Sequence, residues 1–388
     1  MTSSSLNSPT PMIPFNKPYL SGKEIRYIEQ AVQSGKISGN GNFTQKCHEF
    51  FEKRYGFKKC LLTHSCTAAL EMAAILLNIQ PGDEVIMPSY TFVSTANAFI
   101  LRGARIVFAD SRADHPGIDE DKIEELVTPK TKAIVPVHYA GVACDMDKIM
   151  DIAARHNLYV VEDAAQAIDS FYSGRDRPKK PLGGIGHLAA FSFHETKNVQ
   201  CGEGGMLVVN DERLLRRAEV IWEKGTNRVE FFRGESKRYD WIDIGSSFLP
   251  SEIVAAFLCA QLENIDDIQQ RRKQIWSGYW QGLKEWAEAA AIRLPFIPDY
   301  ASHNSHLFYL VCRNIEQRTA LIGKLKEGRI HTVFHYLSLH KSPFYKGKHD
   351  GRKLPESERY TDCLVRLPFY FELTDNNLNS IMQILKSS

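Results

Sequence analysis

Short β-rich runs alternate with helical stretches from about residue 56 to residue 210, and this alternation constrains the fold more than any other feature of the chain. The runs are KCLLTH ending at His64, EVIMP ending at Pro88, RIVFAD ending at Asp110, KAIVPVH ending at His138, LYVVED ending at Asp163, AAFSF ending at Phe193 and MLVVN ending at Asn210. Several are apolar without alternation, as strands are when helices cover both faces of a parallel sheet. Helical stretches lie between them, such as TAALEMAAILL from Thr67 to Leu77 and MDKIMDIAARH from Met146 to His156. Strand and helix in alternation predict an α/β fold with a mostly parallel sheet.

A long helical pattern follows from Ser251 to about Trp286, then shorter elements including LFYLVCR and a last helix capped by Thr374. With 388 residues the chain is long for a single core. The pattern predicts a large unit over residues 12–265 and a smaller C-terminal α/β unit over 266–388. The first eleven residues, MTSSSLNSPTP, are polar and have no apolar core, so they read as a disordered lead-in and not as a secretory signal. No apolar run reaches membrane-spanning length. With 48 basic and 46 acidic side chains, net charge is +2. That balance makes no field for nucleic acid or a membrane surface, so an anionic ligand needs a local site. The eight cysteines are scattered without a CxxC pair, which predicts reduced thiols in a cytoplasmic protein.

Ligands of open α/β sheets bind beyond the carboxyl ends of the strands, so the residues after each strand carry the chemistry. Ser65, Cys66 and Thr67 open a helix, and serve either as an ordinary N-cap or as a turn that holds a phosphate on free N–H groups. The stretch Ser89 to Thr95 brings aromatics, Tyr90 and Phe92, to another helix start, either as core or as a lid on a ligand ring. Asp163 is either a helix N-cap or the partner of a protonated ring nitrogen, the role a pyridoxal-phosphate (PLP) enzyme requires. Lys197 stands just past a strand, before the glycine-rich GEGG at Gly202. It is either one surface lysine among many or an amine whose burial suits a Schiff base. Each signal is weak singly; their common position at strand ends gives the set its force.

The motifs PFNKPYL from Pro14, THSCTAALE from Thr63, PGDEVIMPSYTFVSTANA from Pro81, IVPVHYAG from Ile134, VVEDAAQ from Val160, FSFHETKN from Phe191 and GEGG from Gly202 give the chain a close resemblance to a known family. It resembles the sugar aminotransferases of the fold-type I PLP class, the DegT/DnrJ/EryC1/StrS family, over nearly its whole length. The resemblance implies a fold-type I PLP-dependent transferase working as a homodimer with sites at the subunit interface. It implies Lys197 as the Schiff-base lysine and proton shuttle, Asp163 as the pyridinium partner and Gln166 on the ring hydroxyl. Phe92 would stack on the ring, and Cys66, Thr67 and Ser192 would contact the phosphate. Within the family, FSFHETKN, EKGTNR (Glu223 to Arg228), FFRG (Phe231 to Gly234) and DIGSS (Asp243 to Ser247) are similar to members that aminate a dTDP-linked sugar for surface-glycan synthesis. This implies dTDP-4-keto-6-deoxy-D-glucose and L-glutamate as substrates and dTDP-4-amino-4,6-dideoxy-D-galactose as product. Most of the family has Gly-Tyr-Asn where this chain has Gly245-Ser246-Ser247, so Ser247 takes the place of the residue that reaches the partner subunit's phosphate.

Two stretches depart from that pattern: DRPKKP (Asp176 to Pro181) lengthens a surface turn, and Val199-Gln200-Cys201 changes the packing after Lys197. The family's sugar dehydratases carry histidine in place of the lysine, so Lys197 argues against dehydration. A PLP-binding sensor is disfavoured because no DNA-binding or linker segment is added. A 3-keto sugar substrate, or the 4-amino gluco epimer as product, shares every cofactor residue and stays open. His331 and His335 in HTVFH have metal-ligand spacing without a nearby acidic or cysteine partner, so no metal is expected there. The stretch HYLSLHKSP from His335 resembles the family's sugar-facing segment. Arg329 and Lys341 are either solvated surface charges or aids to holding a diphosphate.

Overall fold

The computed structural model describes residues 12–174 and 179–387. The N-terminal lead-in and the Asp176-to-Pro178 part of DRPKKP lie outside the described residues. Seven strands form the main sheet: β1 (Cys60–Thr63), β2 (Glu84–Pro88), β3 (Arg105–Ala109), β4 (Thr131–Ile134), β5 (Tyr159–Asp163), β8 (Leu188–Ser192) and β9 (Gly205–Val209). A two-residue ribbon, β6 (Phe171–Tyr172) with β7 (Lys180–Pro181), stands apart; it takes up the end of DRPKKP. The sheet order is β1-β9-β8-β5-β4-β2-β3. Only β9 runs against its neighbours, lying antiparallel to both β1 and β8.

The β-rich runs become strands, with ends within one residue of their expected positions in most cases. KAIVPVH is the exception: β4 stops at Ile134, and Val137 rejoins the sheet only through a single bridge to Asp163. Pro136 explains the break, because it has no N–H for the ladder; its carbonyl instead accepts the Asp163 N–H at 2.9 Å.

Pleating sends alternate residues to opposite faces. Ile86, Val107, Ile134 and Val160 enter one core cluster, while Val85, Met87, Ile106 and Val161 enter the other. The helix Cys66–Leu76 is apolar on nearly every side because it lies between the sheet and the helices Val93–Ile100 and Leu215–Trp222. Removing one of its buried side chains, as in Leu70→Ala, costs about 2–5 kcal/mol. Met146–His156 has the expected bounds for a local reason. The Asp145 side chain accepts the Lys148 N–H at 3.2 Å, and Asn157, left-handed at φ 51°, ends it.

The long helical pattern is two helices, Glu252–Leu262 and Ile265–Ala289, and not one. Asp266 and Asp267 in the first turn of the second favour a new positive helix end at Asn264. At the junction, Glu263 is held by Lys23 at 2.9 Å and by the Tyr27 hydroxyl at 2.7 Å. The Glu252 carboxylate accepts the N–H groups of Gly41, Phe43 and Thr44, and so caps the helix Asn42–Tyr55.

C-terminal to these helices, β10 (Tyr309–Val311), β11 (Val333–Phe334) and β12 (Leu364–Arg366) form an antiparallel sheet in the order β10-β12-β11. Its core takes Ile275, Tyr279 and Leu283 from the helix Ile265–Ala289. It also takes Tyr90 and Tyr139, which follow β2 and β4 of the main sheet. That shared aromatic layer sets the small sheet against the carboxyl ends of the large one.

Candidate active site

Asp163 is the last residue of β5 and is buried. Its Oδ2 accepts the Thr95 hydroxyl at 2.7 Å and its Oδ1 the Ala165 N–H at 3.2 Å. Thr95 meets the Thr91 hydroxyl at 2.9 Å, which leaves its own proton for Asp163. Burial raises the Asp163 carboxyl above its ordinary range, and Thr95, Ala165, Lys197 and His138 pull the other way. No helix begins at Ala164, so Asp163 closes an Asx-type turn and is not an N-cap.

The residue before it is held as firmly. Glu162 is buried and accepts His138 Nε2 at 2.9 Å and the N–H groups of Gly183, Ile185 and Gly186. His138 Nδ1 accepts the Cys144 N–H, so the proton sits on Nε2 and points at Glu162. Both ends of the dipeptide are thereby fixed, and Asp163 cannot rotate without breaking that network.

Lys197 lies in the connection between β8 and β9, which is cross-linked by its own backbone. Phe193 N–H bonds Gly204 O, Glu195 N–H bonds Gly202 O, and Cys201 N–H bonds Phe193 O. Val199-Gln200-Cys201, the departure after Lys197, packs this loop: Val199 is buried, and Gln200 Nε2 donates to Tyr19 O at 3.0 Å. Burial lowers the Lys197 amine below its usual value; Cys66 and Asp163 oppose the shift and Arg366 adds to it. The amine is therefore electrostatically coupled to the end of β5 and to the helix start after β1. Asn198 follows, its Nδ2 donating to Asn304 O and to Gln269 Oε1, both at 2.8 Å, and its Oδ1 accepting from His306 Nδ1 at 2.8 Å.

At the helix start after β1, Ser65 is the N-cap, its Oγ accepting the Ala68 N–H at 3.1 Å. The capping reading holds for Ser65. Cys66 and Thr67 supply the first N–H groups of the helix, which have no intrahelical carbonyl. The Thr67 hydroxyl donates to Ser94 Oγ at 2.7 Å. Gly205 closes this side: a Cβ there would stand 2.3 Å from the Ser65 carbonyl carbon and 2.4 Å from Cys66 N. Ser192, half-buried at the end of β8, accepts the His194 N–H through Oγ at 3.4 Å.

Gln166 Oε1 accepts the Ala140 N–H at 2.7 Å, which turns Nε2 toward the Tyr336 hydroxyl at 3.2 Å. Phe92 is the N-cap residue of Val93–Ile100 with half its surface exposed, and its ring lies 6.0 Å from that of Tyr336. Tyr90 is the buried aromatic of that stretch, in contact with Tyr139, Tyr336 and Tyr360. Cys66, Thr67, Phe92, Asp163, Gln166, Ser192 and Lys197 thus all lie at the carboxyl ends of strands.

Ser247 does not join them within one chain. It is exposed and bridged to Glu223, and its neighbour Phe248 accepts the His64 N–H at 3.0 Å. His335 Nδ1 meets the Tyr139 hydroxyl at 3.1 Å while His331 lies against Phe15, so the two HTVFH histidines face different partners. Lys341 pairs with Glu358 at 2.5 Å. Sequence reasoning missed Thr95, Asn198, Tyr336 and Arg366. The first three sit inside the motifs singled out; for Arg366 the sequence holds no signal.

Residues 18–386 match the model of the DegT/DnrJ/EryC1/StrS aminotransferase family, and the chain belongs to that family. It is 34% identical over 384 residues to the spore coat polysaccharide biosynthesis protein SpsC of Bacillus subtilis, covering 96% of each chain. Among solved structures it resembles Spr1654 of Streptococcus pneumoniae in its PLP form, with 26% identity, a TM-score of 0.86, and coverage of 97% of this chain and 98% of the other. The PMP form of that protein gives a TM-score of 0.87 at the same identity and coverage. The sugar aminotransferase CalS13 of Micromonospora echinospora is 25% identical with a TM-score of 0.87, covering 97% of this chain and all of the other.

The donor set fits pyridoxal 5′-phosphate. A buried carboxylate with lone pairs to spare suits a ring N–H, and an amide N–H₂ suits a ring oxygen. Free N–H groups at a helix start suit a phosphate, and a buried amine suits the aldehyde carbon. Among the described residues no helix is long and apolar enough to cross a membrane.

Proposed function

We propose that this chain is a PLP-dependent nucleotide-sugar aminotransferase. It moves the amino group of L-glutamate to C4 of dTDP-4-keto-6-deoxy-D-glucose, giving dTDP-4-amino-4,6-dideoxy-D-galactose for surface-glycan synthesis. The observation that carries the reading is the half-buried Lys197, its basicity lowered by desolvation, coupled to the buried Asp163 carboxylate at the carboxyl end of the sheet. The 4-keto substrate and the galacto product rest on the subgroup stretches FSFHETKN, EKGTNR, FFRG and DIGSS. The enzyme acts as a cytoplasmic homodimer.

Bound pyridoxal phosphate supplies an electron-accepting ring and a reactive aldehyde carbon. Asp163 keeps a proton on the ring nitrogen, and Thr95 keeps Asp163 ionised and aimed. Gln166 donates from Nε2 to the ring hydroxyl, because Oε1 is committed to Ala140. Phe92 covers the ring face. Cys66, Thr67 and Ser192, with the partner subunit's Ser247, would hold the phosphate. Lys197 takes a proton from the α-carbon of L-glutamate in the first half-reaction and delivers one to C4 of the sugar in the second. Its basicity, lowered by burial, favours the neutral amine that proton abstraction requires.

The deciding assay combines the purified protein, PLP, L-glutamate and dTDP-4-keto-6-deoxyglucose, with NMR of the sugar product. An axial amine at C4 supports the proposal. An equatorial amine assigns the gluco epimer instead, and bound PLP without product points to 3-keto sugars or another nucleotide.

A further inference from the structure

One buried histidine outside the cofactor contacts ties together three parts of the chain that meet at the carboxyl end of the large sheet. His340 and Ser89 are both buried. Ser89 directly follows β2, and its Oγ accepts the His340 N–H at 3.2 Å. The Ser89 hydroxyl proton is thereby left for His340 Nδ1, at 2.7 Å. With Nδ1 accepting, the ring proton sits on Nε2 and faces Glu358 Oε1 at 3.3 Å. Burial lowers the imidazole below its ordinary range and so favours this neutral form; Glu358 opposes the shift, and His349 and Lys341 add to it. Glu358 lies on the helix Pro355–Cys363 and also pairs with Lys341.

The segment that His340 anchors carries Tyr336, and Tyr90 is the residue after Ser89. The two tyrosine rings stand 5.9 Å apart, and the Tyr336 hydroxyl accepts Gln166 Nε2 at 3.2 Å. Ser338, in the same segment, bonds only toward the helix Pro355–Cys363, through Ser357 O at 2.8 Å and Thr361 Oγ1 at 3.0 Å. Ser89 is what ties the segment back to the large sheet. Leu339 N–H gives it one bond, to Ser89 O at 2.9 Å, and His340 gives the others. A buried hydrogen bond that spans two separate parts of a chain restrains both of them.

We propose that His340 is a positioning residue: through its hydrogen bond with Ser89 it holds Tyr336 against Gln166, and so fixes the hydrogen bond that Gln166 gives to the ring oxygen of bound PLP. The inference rests on the cofactor contacts proposed above and adds a residue that touches neither cofactor nor substrate. A donor on the ring oxygen weakens that oxygen's hold on the neighbouring proton. The visible absorbance of the PLP-loaded enzyme therefore titrates at lower pH with the donor than without it.

The test follows that absorbance against pH in the PLP-loaded enzyme, with no substrate present. His340→Leu, apolar and of similar size, is expected to raise the midpoint by about 0.5–1 pH unit. Ser89→Ala removes the same hydrogen bond from the other side; it is expected to give a like rise, and it keeps the test open if the leucine variant fails to fold. His340→Asn places an amide oxygen where Nδ1 stood, so it keeps the bond to Ser89 without the one to Glu358 and is expected to recover most of the shift. An unmoved midpoint in both His340→Leu and Ser89→Ala overturns the proposal even if their urea midpoints fall, since that result assigns His340 to stability alone. Gln166→Leu separates this failure from failure of the underlying reading, because it should raise the midpoint at least as far. If it does not, the ring-oxygen contact itself is wrong and the proposal falls with it; if it does while the His340 and Ser89 variants do not, only the role of His340 falls.

Discussion

Thr95→Val tests the electrostatics of the site at one atom. Valine keeps the shape of threonine and replaces the hydroxyl by a methyl, so the helix Val93–Ile100 keeps its packing. What is lost is the donor at 2.7 Å from Asp163 Oδ2. Burial already lifts the Asp163 carboxyl, and Thr95 leads the groups that oppose it. A hydrogen bond to a charged group is worth about 1.5–3 kcal/mol, and about 1.4 kcal/mol is a tenfold change in an equilibrium. The variant should bind PLP about 10- to 100-fold more weakly. Its Asp163 should also ionise at higher pH, because the hydrogen bond that opposes the effect of burial is gone, and this moves the acid limb of PLP binding upward. Cofactor affinity is read by titrating the apoenzyme with PLP and following absorbance between pH 5 and 9. Thr95→Ser, which keeps the hydroxyl, should stay near wild type. A valine variant that binds PLP within twofold of wild type, with an unmoved acid limb, refutes the reasoning.

Other consequences are open to measurement. Lys197→Ala should lower turnover by a factor of about 100 to 10,000 or more while the far-UV circular dichroism is unchanged; near-normal turnover would remove Lys197 from its role. Gly205→Ala places a methyl 2.4 Å from Cys66 N, so it should cost about 1–3 kcal/mol in urea unfolding and speed PLP release on dilution. Stability should fall with acid because His48 and His115 are held neutral by burial, pushed down to about 3 and about 4. Their stabilisation is complete above the unfolded value near 6.5, and each loses about 1.4 kcal/mol per pH unit below it. Asp163 and Glu120, raised by burial, work the other way. The urea midpoint should drop between pH 7 and pH 5, and His48→Gln should flatten the slope; a wild-type midpoint independent of pH would contradict this.

Much of this architecture was legible because parallel strands covered on both faces leave unbroken apolar runs in the chain. EVIMP could hardly be anything else, and Asp145 with Asn157 announces both ends of a helix. The break at Glu263 was not legible, since apolar spacing continues through it and only the acidic pair after Asn264 marks a new start. Lys197 and Asp163 could be read because one stands in the loop just past a strand and the other ends a strand. Arg366 could not, because its charge bears on the Lys197 amine only once β12 lies between β10 and β11. Thr95 falls between these cases: its motif was noticed, but its hydrogen bond joins the helix after β2 to the end of β5, far apart in sequence.

The reversed direction of β9 bears on the order in which the site is built. Strands β8 and β9 are joined by a short connection, so pairing them closes a small loop, whereas β1 finds β9 only after most of the large sheet's sequence has been made. Small loops close at little entropic cost and long ones late. Lys197 rides on the short connection, while the phosphate-holding helix start hangs from β1. Loop length therefore predicts that the reactive amine is set in place before the cradle for its cofactor closes. Amide-exchange labelling during refolding should protect Met206 and Val208, whose N–H groups face β8, earlier than Leu61 in β1.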